Sequence, residues 1–210
     1  MKSRQSPVVS ARKRPQQERS TRMVSDILEA AVRVLVREGA RRFTASRVAE
    51  AAGVSVGSLY QYFPNKEAIL FRLQTQEWAQ TRALLEGILK DTARSPVERL
   101  RLTVRKFFET EYEEAAFRVA LEDAAPLYRD SPEARAQSQA GLSQIVAFIG
   151  EALPNLTAER RTLVAKVVTT TLSTVGESVS GTAKSKAEVD RWAVEMADML
   201  TAYIGQFTGR

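Results

Sequence analysis

The segment Thr44 to Lys66, TASRVAEAAGVSVGSLYQYFPNK, admits few folds, because it sets two short helix signals on either side of a glycine turn. Thr44 carries a hydroxyl that can cap free helix amides, and Val48, Ala49 and Ala52 follow at spacings that share one helical face. Gly53 stands where a left-handed residue ends a helix at least cost. Ser55, two residues later, caps a second helix predicted over Val56 to Phe63. The pattern is that of a helix-turn-helix.

At about 100° per residue, Leu59 and Phe63 fall on one side of the second helix and Tyr60 on its flank. Gly57, Ser58, Gln61 and Tyr62 face away. This small, polar face suits a major groove: a glutamine can bridge an adenine edge, a serine can donate or accept, and a glycine leaves room for the phosphate backbone. Val56, in the first turn, is placed to touch a thymine methyl. The competing reading is a helical hairpin whose tyrosines only pack.

The run AxxAGVSxGSLYQYFPNKEAIL, preceded by ILEAAVRVLVREGARRFT, closely resembles the N-terminal DNA-binding domain of the TetR family of bacterial transcriptional regulators. The resemblance spans about Gln17 to Leu70 and fades beyond. It implies that Ala45 to Ala52 is the second helix of that domain, Val56 to Tyr62 the recognition helix, and Asn65 to Lys66 the start of a long connecting helix. It further implies that Tyr60 and Tyr62 meet the DNA backbone, that Lys66 grips phosphate, and that Leu59 and Phe63 hold the small core. Tyr62 stands where the family also uses His, which leaves the role intact. The full DNA-binding set expected is Thr44, Ser46, Arg47, Ser55, Val56, Gly57, Ser58, Tyr60, Gln61, Tyr62 and Lys66.

Charge is polarised along the chain. Residues 1–66 hold 13 Lys and Arg against five Asp and Glu, whereas the remainder holds 18 against 20. A basic third joined to a near-neutral remainder is the footprint of a module that meets phosphate through one end. Residues 1–16, with two prolines and five basic side chains but no helical stripe, read as a disordered basic tail. Arg12, Lys13 and Arg14 make it either an arm that follows DNA or a solvated leader. The first helix is expected from Gln17 to Glu38, burying Ile27, Leu28, Ala31, Val34 and Leu35, with Arg19 and Arg22 near its start and Gly39 ending it. The expected domains are therefore the tail at 1–16, a helix-turn-helix domain at 17–66 and a helical domain at 67–210.

Beyond Lys66 the helix punctuation is legible. Ser95-Pro96-Val97-Glu98 places a cap, a proline in the first turn and a glutamate three residues after the cap, and Ser185-Lys186-Ala187-Glu188 repeats the capping box. Ser131-Pro132 and Thr157-Ala158-Glu159 mark two further starts. Helices are predicted at about 66–91, 96–114, 115–125, 132–153, 158–181 and 186–207. The fold class is all-α, with nine helices in two domains: an N-terminal three-helix reader and a C-terminal helical domain for ligand binding and dimerisation.

Val189, Trp192, Met196, Met199 and Tyr203 follow alternating steps of three and four residues, as in a coiled-coil seam. Ala193, Leu200, Ile204 and Phe207 make a second strip beside them. With Val168 and Leu172 of the preceding helix, the seam predicts half of a four-helix interface in a symmetric homodimer, the alternative being that both strips face the chain's own core. Two readers related by a two-fold axis imply a palindromic double-stranded DNA operator with half-sites about 34 Å apart. For the ligand, Phe107, Phe108, Tyr112, Phe117, Leu121, Tyr128 and Phe148 supply apolar surface, and one buried carboxylate among Glu109, Glu111, Glu113, Glu114, Glu122 and Asp123 would favour a cationic lipophile, the competing reading being a solvated acidic face. Thr169, Thr170, Thr171, Ser173 and Thr174 form a hydroxyl-rich patch for a ligand, their own helix or a dimer.

The expected function is a ligand-responsive transcriptional repressor released by a small, largely apolar effector. The alternative is a DNA-organising protein of the same fold with many sites and no small ligand. An enzyme is disfavoured, since there is no histidine, no cysteine, no glycine-rich phosphate loop and no metal-spaced cluster. No catalytic residue, metal or cofactor is expected. With no secretion signal and no run of some eighteen apolar residues, a cytoplasmic protein without membrane contact is expected.

Overall fold

The computed structural model describes residues 13–127 and 132–208, which form nine α-helices and no strand. The chain divides into two compact units, Met1–Leu70 and Phe71–Arg210. The division falls four residues beyond the boundary expected at 66, because the first turn of the connecting helix groups with the reader.

In the first unit, α1 (Lys13–Glu38) starts earlier than Gln17, so residues 13–16 are helical and not tail. Pro15 is tolerated there because the amides of a first helical turn have no intrahelical partner to lose. The tail's remaining residues, 1–12, lie outside those described. Ile27, Ala30, Ala31, Val34 and Leu35 are buried on one face of α1, which packs on α2 (Ala45–Ala52). Arg33 Nη2 crosses between the two helices and donates to the Ala51 carbonyl at 3.3 Å, a cation at a helix C-terminus.

Thr44 caps α2 by accepting from the Arg47 amide at 3.3 Å. Gly53 closes it at φ 69°, ψ 28°, the left-handed region, with the Val54 amide reaching back to the Ala49 carbonyl at 3.0 Å. Ser55 then caps α3 (Val56–Tyr60), which is shorter than the helix expected to run to Phe63. Pro64 is the reason: a proline pushes the residue before it out of the helical region, so the chain leaves the helix through a turn at Gln61 and Tyr62.

The helices of the second part match their sequence spans to within two residues. They are α4 (Lys66–Leu89), α5 (Pro96–Glu113), α6 (Ala115–Ala124), α7 (Pro132–Ala152), α8 (Ala158–Thr182) and α9 (Lys186–Gly205). Asn65 Oδ1 caps α4 by accepting from the Ala68 amide at 2.7 Å. The Ser95 box is complete: its hydroxyl accepts from the Glu98 amide at 3.3 Å and Glu98 accepts from the Ser95 amide at 2.8 Å. The box expected at Ser185 is only half made, because Glu188 reaches one residue further back, to the Lys184 amide at 3.0 Å.

The second core gathers Val104 and Phe108 from α5, Ile149 from α7, Val164 and Val168 from α8, and Ala193 and Leu200 from α9. Arg99 is buried at its edge. It donates to the Leu89 carbonyl at 2.6 Å, pairs with Glu151 and lies 5.5 Å from the centre of the Phe148 ring. One guanidinium thus ties the end of α4 to α5 and α7.

The seam expected on α8 and α9 is divided. Val168, Leu172, Val189 and Met196 are buried in the chain's own core and are not available to a second copy. Trp192 and Met199 are 47% and 49% exposed, and Leu163 and Val167 of α8 are exposed as well. Tyr203 is half-buried, edge-on to Phe207 at 5.4 Å. Periodicity finds apolar faces, but when a helix carries a broad apolar arc it does not say which edge meets the chain itself.

Candidate functional site

Two surfaces carry the chemistry, one in each unit. In the first, Leu59 and Phe63 are buried and fix the roll of α3, which turns Val56, Gly57, Tyr60 and Gln61 outward. Ser46 is exposed on α2, while Ser58, Tyr62 and Lys66 are half-exposed. Gln61 and Tyr62 follow α3 in the turn, their amides bonded to the Ser58 and Leu59 carbonyls at 3.2 and 3.0 Å.

Three expected contacts have partners of their own. The Thr44 hydroxyl oxygen accepts from the Arg47 amide as the cap of α2, with its O–H still able to donate. Ser55 Oγ accepts from the Ser58 amide at 3.0 Å and lies 2.8 Å from Ser58 Oγ, so the two hydroxyls share one hydrogen bond and retain one O–H donor and two acceptor lone pairs between them. Arg47 forms an ion pair with Glu38, which also holds Arg37 at 2.7 Å, and donates to the Arg42 carbonyl at 3.3 Å. These two guanidiniums hold the Glu38 carboxyl below its ordinary range. Arg47 therefore braces α2 against the end of α1 and must leave Glu38 to reach a phosphate, a pairing that linear spacing does not reveal.

Gly57 has no structural reason to be glycine. Its backbone is not left-handed, and a Cβ built there meets only Ser55 Oγ, at an ordinary 3.8 Å. The space in front of it is open to an incoming molecule.

The second surface is a cavity of about 400 Å³ inside the second unit. Its apolar wall includes Trp78, Phe107, Leu121, Ile145, Val168 and Leu172. Of the expected ligand residues, Phe107, Glu111 and Leu121 line it. Phe108 and Phe148 are instead buried in the core, and Tyr112 and Phe117 are half-buried outside the lining. Tyr128 lies outside the described residues. From the hydroxyl patch, Thr169 and Ser173 reach the cavity; Thr169 Oγ1 also donates to the Ala165 carbonyl at 2.8 Å.

One end of the cavity is ionic. Arg118 of α6 pairs with Glu111, with Glu77 at 3.0 Å and with Glu114 at 2.9 Å, and donates to Thr81 Oγ1 at 2.9 Å. Glu77 accepts further from Gln74 and from the Thr81 hydroxyl, each at 3.1 Å. Burial raises the Glu77 carboxyl against the pull of Arg118. Burial also pushes Glu111 up to about 7, opposed by Arg118 and reinforced by the Glu77 charge. The approach of α8 makes this packing close: a Cβ on Gly176 would stand 2.6 Å from the Phe107 ring and 3.3 Å from Glu111 Cγ.

Glu77 and Arg118 are cavity charges that sequence reasoning missed. A signal existed for Glu77, because Ile69, Leu70, Leu73, Gln74 and Glu77 continue one buried stripe into which a carboxylate intrudes. Among the described residues no group of carboxylates, histidines or cysteines is arranged to hold a metal, and no helix is long and apolar enough to cross a membrane.

Comparison with known proteins finds a match in each unit. Residues 27–73 match the family model described as bacterial regulatory proteins, tetR family, and residues 95–207 match the tetracyclin repressor-like C-terminal domain. The fatty acid metabolism regulator protein of Bacillus subtilis (strain 168) is 37% identical over 82 residues, 39% of this chain and 42% of that protein's length. Among solved structures, the fatty acid degradation regulator FadR of Bacillus halodurans superimposes with a TM-score of 0.68 at 20% identity, covering 85% of this chain and 94% of that one. FadR of B. subtilis, crystallised with stearoyl-CoA, gives 0.66 at 20% identity, with 85% and 97% covered. With its reader and its helical C-terminal domain both matched, the chain belongs to the TetR family of bacterial transcriptional regulators.

Proposed function

We propose that this regulator is a repressor that binds a palindromic operator as a homodimer and releases it when a small, largely apolar effector enters the cavity of the second unit. The observation that carries the reading is the pairing, in one chain, of an exposed reader face at Val56 to Gln61 with an apolar-walled cavity of about 400 Å³. In the dimer, Leu163, Val167, Trp192 and Met199 meet their counterparts, since these are the exposed apolar residues of α8 and α9 that the chain's own core leaves uncovered. The two readers then span successive major grooves about 34 Å apart, and an effector that alters their separation costs affinity. This assigns the protein a regulatory role in the cytoplasm and no catalytic one. The stearoyl-CoA complex of B. subtilis FadR supports a ligand with a substantial apolar body. A DNA-organising protein of the same fold has no use for such a cavity.

The test begins with selection of genomic fragments by the purified full chain, followed by titration of the enriched site. One dominant palindrome is expected; broad enrichment without one would favour the DNA-organising alternative. On that site Gln61→Ala should change sequence preference by about 1–3 kcal/mol at one base pair. Lys66→Ala should weaken operator and random DNA alike and lower the salt slope by about one. Equal loss on both DNAs for Gln61→Ala would reject the assigned face.

A further inference from the structure

The cavity's charges specify more than an apolar ligand. Among the described residues four carboxylates, Glu77, Glu111, Glu122 and Glu177, stand on its lining with two guanidiniums, Arg82 and Arg118. At the buried end Glu77 and Glu111 are each more than nine-tenths buried, and among the described residues both pair with the guanidinium of Arg118, which Glu114 also engages. Burying negative charge in excess of positive charge is costly, and a cation brought in by a ligand offsets that cost. The elevated Glu111 carboxyl is a second sign of this shortage.

A separate observation marks the far end. Thr103 lines the cavity, is 2% exposed, and its Oγ1 has no hydrogen-bond partner among the described residues; Gln144 Nε2, on the same lining, is likewise unpartnered. Buried polar atoms of this kind are normally satisfied. Thr103, Phe107 and Glu111 recur every four residues along α5, so eight residues at 1.5 Å each separate the hydroxyl from the carboxylate by about 12 Å, with an aromatic ring between them.

We infer that the cavity takes an elongated organic cation, with its positive group against Glu77 and Glu111, its apolar body along Phe107, and a neutral polar group at Thr103 and Gln144. This deepens the proposed effector reading and rests on it for any effect on DNA, although not for binding itself. An acid would meet the wrong sign at the buried end unless it displaced a carboxylate from Arg118.

The test is calorimetric titration of the full chain with three ten-carbon probes that differ only in head group: decyltrimethylammonium, 1-decanol and decanoate, with stearoyl-CoA as a fourth. The cation is expected to bind at least about tenfold more tightly than the others, and Glu111→Gln or Glu77→Gln to remove most of that preference. Adding a terminal hydroxyl, as 10-hydroxydecyltrimethylammonium, should improve binding several-fold in the parent and not in Thr103→Val. Tightest binding by decanoate or stearoyl-CoA would overturn the inference and assign recognition to Arg118. It is equally overturned if no probe binds, or if the cation preference survives in both glutamine variants; circular dichroism of each variant secures that comparison against misfolding. Operator release is measured in parallel. Cation binding that leaves operator affinity unchanged would uphold the site and reject the effector reading.

Discussion

Glu111 shows how one residue can charge the fold for the sake of a site. In the unfolded chain its carboxyl titrates at an ordinary 4.5, whereas in the folded protein burial holds it near 7. The folded state therefore keeps its proton longer, and rising pH favours unfolding across that interval. Stability is expected to fall by up to about 3 kcal/mol between pH 4.5 and 7 from this group, then level off. Urea denaturation at pH 5 and pH 8 checks this: Glu111→Gln should reduce the difference, leaving the part due to Glu77, whose carboxyl burial also raises, and an unchanged difference would place its origin elsewhere. At this scale the sequence was informative where a side chain acts on its neighbours in the chain, as with Thr44, Ser55 and Ser95. It was silent where the partner is remote: nothing local pairs Arg47 with Glu38 or brings Glu77 to Arg118.

Elements were the most legible level, because capping and periodicity are local. Glu114 separates α5 from α6 without proline or glycine, where the expected spans 96–114 and 115–125 divide. Two lengths differ by more than two residues: α1 starts four residues earlier than expected, and α3 ends three residues sooner, because the restriction Pro64 places on Phe63 takes precedence over apolar periodicity. What periodicity does not report is how closely two helices approach. Gly176 sets that distance for α5 and α8, where Phe107 and Glu111 occupy the space of its missing side chain. Gly176→Ala should cost about 1–3 kcal/mol by overpacking, because the added methyl group displaces the Phe107 ring towards the cavity it lines. It should also weaken decyltrimethylammonium binding, because Phe107 and Glu111 both line the cavity. A variant with parent-like melting would show that the ring swings aside freely.

For the whole molecule, the apolar faces of α8 and α9 are divided between the core and an exposed face, and single-helix periodicity treats the two alike. The division makes a sharp test. Trp192→Glu and Leu163→Glu alter residues that the core leaves exposed, so each should leave helical content intact and shift sedimentation at micromolar concentration from dimer towards monomer, with loss of palindrome binding. Met196→Glu should instead unfold the chain. If Trp192→Glu and Leu163→Glu both sediment as the parent does, α8 and α9 do not form the dimer surface. Gly57 carries a different consequence. Alanine there fits the helix without a clash and is expected to raise stability by up to about 1 kcal/mol. It also sets a methyl group on the surface offered to DNA, so operator affinity should fall while the melting temperature rises. A library of this regulator screened for heat resistance alone would accumulate that alanine and lose repression, so a thermostability campaign has to score both traits at position 57.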